Sequence, residues 1–481
     1  MELAHTFPRL TYLHFRLTDK RKVTIEHEQE DYQEGEDHSK KRETQVLLPD
    51  LLHLTLDVNF HFANRIKPLL HHCPNLRVLQ LPNVDQADDP PASFKRSDSI
   101  DLKSILTLCP YLYCLDYCYE LEADAMHANI MSNSIFGASS SLAVQKSKQP
   151  SSLHQMTICD NDKGPLAKNI IPFLAHTQGT LSTLNVVHEH QANAHNKLWY
   201  SLNQVALTYL QELTIFIPDA RQDVTEIVSF LNKYHGDDSS LQKLNLRIWP
   251  FTRQKDLLYA FSGIRSLKHF SLYIFTGSNG SFGGNILRRD YSWLENFQGS
   301  LQHIELAGDI RMNQRIFQTL GALAKSLWTV KLRPLIIDRI YQGRQWQRLP
   351  QKNMSIDDVE LLNFISCLRH HNIIQSLVLE YLGQPLGDTS MGYLGTIESL
   401  VLLKISGSLN FQSSGLRAFV DKKVQQQQEA RAAIKEGKKA LAHYTFQNLE
   451  IDMCPGISVV DVQYAKKKLG SNKVHATIIS G

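Results

Sequence analysis

The sequence predicts an α/β solenoid in which short parallel strands stack in chain order, helices lie between them, and neighbours share one core. Three observations predict it. A phrase of the form apolar-x-x-apolar-x-apolar recurs from one end of the 481 residues to the other. Segments with apolar residues at helical spacing lie between many of the copies. The composition, 42% apolar and 21% charged, is that of a folded chain with enough apolar side chains for each unit to bury against the next.

The copies run in order. They read FPRLTYLHF at Leu10, LPDLLHLTL at Leu51, CPNLRVLQL at Leu76, CPYLYCLDY at Leu112 and SSLHQMTI at Leu153. GTLSTLNV at Leu181, TYLQELTI at Leu210, SSLQKLNL at Leu241, RSLKHFSL at Leu267 and GSLQHIEL at Leu301 follow. The last are KSLWTVKL at Leu327, NIIQSLVL at Ile374, GTIESLVL at Ile397 and YTFQNLEI at Phe446, the final two being the weakest matches. The steps from Leu51 to Leu76, Leu241 to Leu267 and Leu301 to Leu327 are 25 or 26 residues. That length suits a repeat of ~20–29 residues, one strand and one helix, and longer steps are such a repeat plus an insertion. On a strand the fourth and sixth positions point to one face, and the first anchors the turn that enters it. The third and fifth point to the other face. Between strands, ANRIKPLLHHC, LKSILTLC, AKNIIPFLAHT, VTEIVSFLNKYH, RIFQTLGALAKS and VELLNFISCLRHH carry the helical spacing.

These phrases resemble leucine-rich repeats, most closely those of F-box-type leucine-rich-repeat proteins, in which CPNLRVLQL is a typical wording. The resemblance implies a curved solenoid with a parallel sheet on its concave side and helices on its convex side. The expected domain is therefore one leucine-rich-repeat solenoid over 1–481, divided by insertions. The family's fuller repeat places Asn or Cys three residues after the sixth position, and only Asn59, Asn161 and Cys454 match. An F-box, a helical module that begins near Leu-Pro, lies before the repeats in that family. Leu48-Pro49 matches such a start, but Leu51, Leu54 and Leu56 fit a repeat strand better, and no F-box is found in this chain. The first repeat has no polar cap, so a partner covering its edge or an upstream segment is expected.

Insertions interrupt the pattern. Residues 19–45 are rich in acids and bases, 83–99 carry Pro90-Pro91, 122–151 centre on Ser139–Ser141, and 277–289 begin GSNGSFGGN; all four are expected as loops. Residues 415–443 combine strong helix formers with little apolar face, and an inserted, exposed, basic helix is expected there.

Charge and motif exclude several classes. Lys and Arg number 51 and Asp and Glu 48, a net +3, so nucleic acid is not an expected partner. No apolar run approaches the ~18 residues of a membrane span, and no basic-then-apolar leader opens the chain. Seven cysteines, an odd and sparse set, are expected to be reduced, which places the protein in the cytoplasm or nucleus. In HEHQANAH at 188–195, His188-Glu189 is followed by Ala192 where a zincin needs its second histidine, and a polar loop is the expectation. Cys114 and Cys118 lie about 13 Å apart on a strand, too far to share one zinc with Cys109. The glycine run at 277–285 lacks the Gly-Lys-Ser/Thr of a phosphate loop, and no Gly-x-Ser-x-Gly elbow occurs. No catalytic residue, metal site or cofactor is expected, and the protein is expected not to be an enzyme.

What the pattern does nominate is a face. The outward positions of the central copies are Lys243, Asn245, Arg247, His269, Tyr273, His303, Glu305, Lys331 and Arg333, with Glu380, Glu450 and Asp452 making the far end acidic. Cationic and aromatic side chains released from packing suit a protein-binding site, and opposite-signed ends suit the orienting of a partner. The resemblance implies the substrate-recruiting subunit of an SCF-type ubiquitin ligase. The Skp1 adaptor and a cullin are then partners only if an F-box exists outside this chain. The alternatives are a stand-alone repeat scaffold with no ubiquitin role and, further off, a GTPase-activating repeat protein supplying an arginine.

Overall fold

A computed structural model describes residues 9–16, 48–57, 69–81, 102–117, 153–160, 174–175, 177–188, 197–217, 224–236, 238–248, 254–274, 291–297, 299–308, 310, 314–334, 339–342, 345–348, 358–382, 386–436 and 445–478. The expected loops 19–45, 83–99, 122–151 and 277–289 lie outside these residues, as does most of 188–195. The chain forms two compact units, the first of Met1–Glu189 with Ala194–Leu210 and the second of His190–Asn193 with Gln211–Gly481.

In the first unit six parallel strands pair in chain order: β1 Tyr12–Arg16, β2 His53–Asp57, β3 Val78–Gln80, β4 Cys114–Tyr117, β5 Gln155–Asp160 and β6 Thr183–His188. Helix α1, Leu102–Leu108, precedes β4, and α2, Lys197–Asn203, follows β6. The repeat frame sets the register, with Leu54 beside Leu79, Leu79 beside Leu115, and Leu115 beside Met156. All four are fully buried.

The second unit continues the same plan. Its sheet strands are β7 Glu212–Ile217, β8 Lys243–Ile248, β9 His269–Ile274, β10 His303–Gly308 and β11 Thr329–Pro334. A small antiparallel hairpin follows, β12 Arg339–Gln342 with β13 Gln345–Arg348. The sheet resumes with β14 Ser376–Glu380, β15 Leu402–Ser406, β16 Asn448–Asp452 and β17 Val474–Thr477, all parallel. Between the strands lie α3 Thr225–Asn232, α4 Gln254–Ser262, a 3₁₀ turn Ser292–Phe297, α5 Gln314–Leu323 and α6 Asp358–His371. Helices α7 Asp388–Gly395, α8 Ser413–Lys435 and α9 Val459–Leu469 complete the unit. The α/β class, the parallel sheet and the strand-and-helix repeat are therefore as the sequence predicts.

Strands β8, β9 and β11 alternate strictly between half-exposed and buried residues, and β10 begins the same way. The fourth and sixth positions, such as Leu244 with Leu246 and Phe270 with Leu272, face the helices and are buried. This is one sheet face packed and the other open, the arrangement period-2 patterning encodes. Parallel pairing in exact register then turns each repeat position into a row of side chains across the strands.

Two expectations are corrected. The copy at Ile397 is out of frame by three residues: Leu403 pairs with Leu377 and Leu449, so its repeat starts at Leu400 and its core residues are Leu403 and Ile405. Helix α8 is not the free-standing insertion expected over 415–443, although its second half is largely exposed. Its first half carries a helical stripe, Leu416, Phe419, Val420 and Lys423, all buried. The lysine in that stripe is what made it look polar. Lys423 Nζ donates to the Ile397 carbonyl oxygen, just past α7, and to Gln426 Oε1 at 3.1 Å, with the Phe446 ring centroid 5.6 Å away. Burial pushes its pKa down to about 7. Residues 437–443 lie outside the described residues.

Helix α9 opens on a capping box. Ser458 Oγ accepts from the Asp461 amide, and Asp461 accepts from Ser458 N. The same carboxylate, 2% exposed, accepts from Ser413 Oγ at 2.5 Å and Arg417 at 3.3 Å, both at the start of α8. Burial pushes this carboxyl up, but the donors Ser413, Ser458 and Arg417 outweigh it and hold it at about 2. Replacing Asp461 by Ala is expected to cost about 2 kcal/mol of stability at neutral pH. A depressed folded-state pKa stabilises above the ordinary value of 3.8 and ceases to do so as the pH falls through about 2. Urea midpoints of wild type and variant should accordingly differ at pH 7 and converge between pH 4 and 2.

Candidate protein-interaction face

All nine nominated residues lie on the open side of β8–β11, each only half buried. The register sorts them into three rows. Lys243, His269, His303 and Thr329 form the first; Asn245, Ser271, Glu305 and Lys331 the second; Arg247, Tyr273, Ala307 and Arg333 the third.

The first row is built around two imidazoles. The rings of His269 and His303 stack with centroids 4.1 Å apart and planes 5° from parallel. Trp328, one residue before β11 and 43% exposed, meets His303 edge-on with centroids 6.3 Å apart. Burial is the main cause that pushes both histidines below their ordinary pKa. His269 and Lys331 add to it at His303, which falls to about 4, and Lys243 adds to it at His269. An imidazole held below its ordinary pKa is mostly neutral at pH 7, so the two rings stack without repulsion between charges. Lys243 pairs with Glu212 of β7 at 3.0 Å, and Asn245 donates to Thr214 Oγ1 at 3.3 Å.

The second and third rows are joined by charge. Glu305 accepts from Arg333 at 3.1 Å and lies 3.8 Å from Lys331. Burial lowers the pKa of Arg247, while Glu305 and Tyr273 favour its charged form. Arg333 also reaches Glu380 at 3.2 Å, and burial is outweighed there by the two carboxylates, which hold its proton more firmly than usual. Glu380 in turn meets Lys404 of β15 at 3.2 Å, and Lys404 lies 3.8 Å from Glu450 and 3.7 Å from Asp452. The acidic end expected at Glu380, Glu450 and Asp452 is therefore compensated in place by Arg333 and Lys404. What remains is a ladder of alternating sign, with its histidines and lysines toward β8–β11. Partly exposed pairs of this kind contribute little to stability one by one, about 0–1 kcal/mol each, so their effect is to fix the side chains in place.

Between the first and second rows the face sinks into a shallow depression of about 210 Å³, bordered by Lys243, His269, His303, Glu305 and Lys331. Five contributors were missed in the sequence. Glu212 is the third position of the copy at Leu210, one strand before those nominated. Lys404 is the fifth position of the copy that starts at Leu400, and the frame error at Ile397 hid it. Ser271 and Thr329 occupy the same outward rows but are small and uncharged. Trp328 precedes its strand and carries no periodic signal.

Elsewhere, Cys73, Cys109 and Cys114 are buried free thiols whose pKa values burial pushes up to about 11, 12 and 12. Among the described residues no group of three His, Cys, Asp or Glu is placed to hold a metal ion. No helix among them is long and apolar enough to cross a membrane. No family model matches the chain, and no curated protein matches its sequence.

Proposed function

We propose that this protein is a non-catalytic recognition module that binds a protein partner on the open face of β8–β11. The observation that carries the reading is the row arrangement. Arg, Lys, His and Tyr side chains share one face, in register, with Trp328 beside His303, and none of them has a part in the core beneath. Arg, Tyr and Trp are the residues that supply most energy at protein interfaces. The mutual ion pairs fix Arg333 and Lys404 before a partner arrives, which lowers the entropy of ordering them.

The repeat phrases, through their resemblance to F-box-type leucine-rich-repeat proteins, favour substrate recruitment to an SCF-type ubiquitin ligase. A stand-alone scaffold has the same face without the ubiquitin role. Two experiments on tagged full-length chain test these levels separately. Joint replacement of Lys243, Arg247, Lys331 and Arg333 by Glu is expected to reduce recovery of the captured partner at least tenfold, and unchanged recovery would reject the face. Skp1 and a cullin in the same eluate support the ligase role; a stable partner recovered without them supports the scaffold.

A further inference from the structure

We propose that the depression between the first two rows receives an acidic peptide segment laid across β8–β11, two of whose carboxylates meet Lys243 and Lys331. This rests on the recognition role proposed above and adds the chemistry of the partner. Lys243 on β8 and Lys331 on β11 stand three strands apart and, lying in adjacent rows, two residues apart along the strand, about 16 Å at ~4.8 Å per strand and ~3.3 Å per residue. Glutamates four positions apart on an extended chain span about 13 Å, and the long lysine side chains reach across the remaining ~3 Å. Between the lysines the surface offers the Ser271 and Thr329 hydroxyls and the stacked His269–His303 rings, a flat wall against which a peptide can lie.

Each lysine already has a carboxylate nearby, and the two contacts differ. Lys243 holds Glu212 at 3.0 Å, while Lys331 lies 3.8 Å from a Glu305 that Arg333 engages at 3.1 Å. Lys331 therefore has ammonium hydrogens to give a partner without breaking a short pair. Glu212 and Glu305 also limit how much negative charge the face accepts. Two spaced carboxylates fit, whereas a nucleic-acid strand, with a phosphate at every step, would bring charge against both glutamates.

Fluorescence anisotropy on the full-length chain tests this. The probe is a labelled nine-residue Gly-Ser peptide carrying two Glu four positions apart, and its control carries Gln in their place. The expected results are preference for the Glu peptide and at least tenfold weaker binding by the Lys243→Met/Lys331→Met variant. Equal affinity for both peptides, or binding of neither, would overturn the acidic-partner assignment, and unchanged affinity of the Lys243→Met/Lys331→Met variant would overturn the placement of the carboxylates on these two lysines. None of these results bears on the recognition role itself, which the four-site reversal decides separately.

Discussion

Replacing Phe261 by Ala is expected to destabilise the second unit by about 4 kcal/mol, near the middle of the range for losing a buried aromatic ring. Phe261 lies on α4 and is fully buried. Its ring stacks on Phe270 of β9 at 4.9 Å, meets Trp293 edge-on at 5.2 Å, and lies 6.4 Å from Phe297. Trp293 and Phe297 belong to the 3₁₀ turn that takes the place of a helix before β10. The four rings thus add side-chain packing to the backbone pairing of β9 with β10, directly beneath the strand that carries His269 and Tyr273. Removing the central ring leaves a cavity that three bulky, rigid neighbours cannot fill. In a stack of repeats, stability is the sum of each repeat and its interfaces, so weakening one interface also lowers cooperativity. Urea unfolding should show a lower midpoint and a shallower slope. A shift below 1 kcal/mol with unchanged slope would show that the cluster does not couple the repeats.

Replacing Gly308 by Ala is expected to cost about 3 kcal/mol, unusually much for adding one methyl group. Gly308 ends β10 with φ of +86°, and an added Cβ would fall on the carbonyl oxygen of Ile274, its register partner on β9. The left-handed conformation costs a side chain about 1–2 kcal/mol, and pushing two paired strands apart adds an overpacking cost of about 1–3 kcal/mol. Gly299 separates the two effects. It has φ of +93° and nothing within 4 Å of an added Cβ, so Gly299→Ala should lose only the conformational part. Equal losses for the two variants, measured as urea midpoints, would contradict the close approach of β9 and β10.

The sequence was most informative where one physical demand acts on one residue type. Leu241, Leu244 and Leu246 must be apolar to fill the space between strand and helix, and the same spacing recurs in copy after copy, so strands and outward rows could be assigned by counting. It was least informative where two demands meet. At IESLVLLKIS two overlapping frames are apolar, and only pairing with Leu377 and Leu449 selects the one that starts at Leu400. That choice also decides whether Lys404 faces the helices or joins the charge ladder. Strand β17, VHAT, was not recognised because its only buried apolar residue is Val474. In α8 the burial of Lys423 depends on an acceptor 26 residues earlier, the Ile397 carbonyl, which no local pattern reveals. The pairing of Arg333 and Lys404 with the acidic end likewise required the register, because residues far apart in sequence become neighbours only once the strands are aligned.

The central claim is that recognition takes place on the open strand face and not on the helices. A photo-crosslinking amino acid in place of Ser271 on β9 places a probe on that face, and the same group in place of Tyr259, 52% exposed on α4, places one on the helical side. On irradiation with the captured partner, the account predicts a crosslinked product from position 271 and none from position 259. A product from position 259 alone would contradict it.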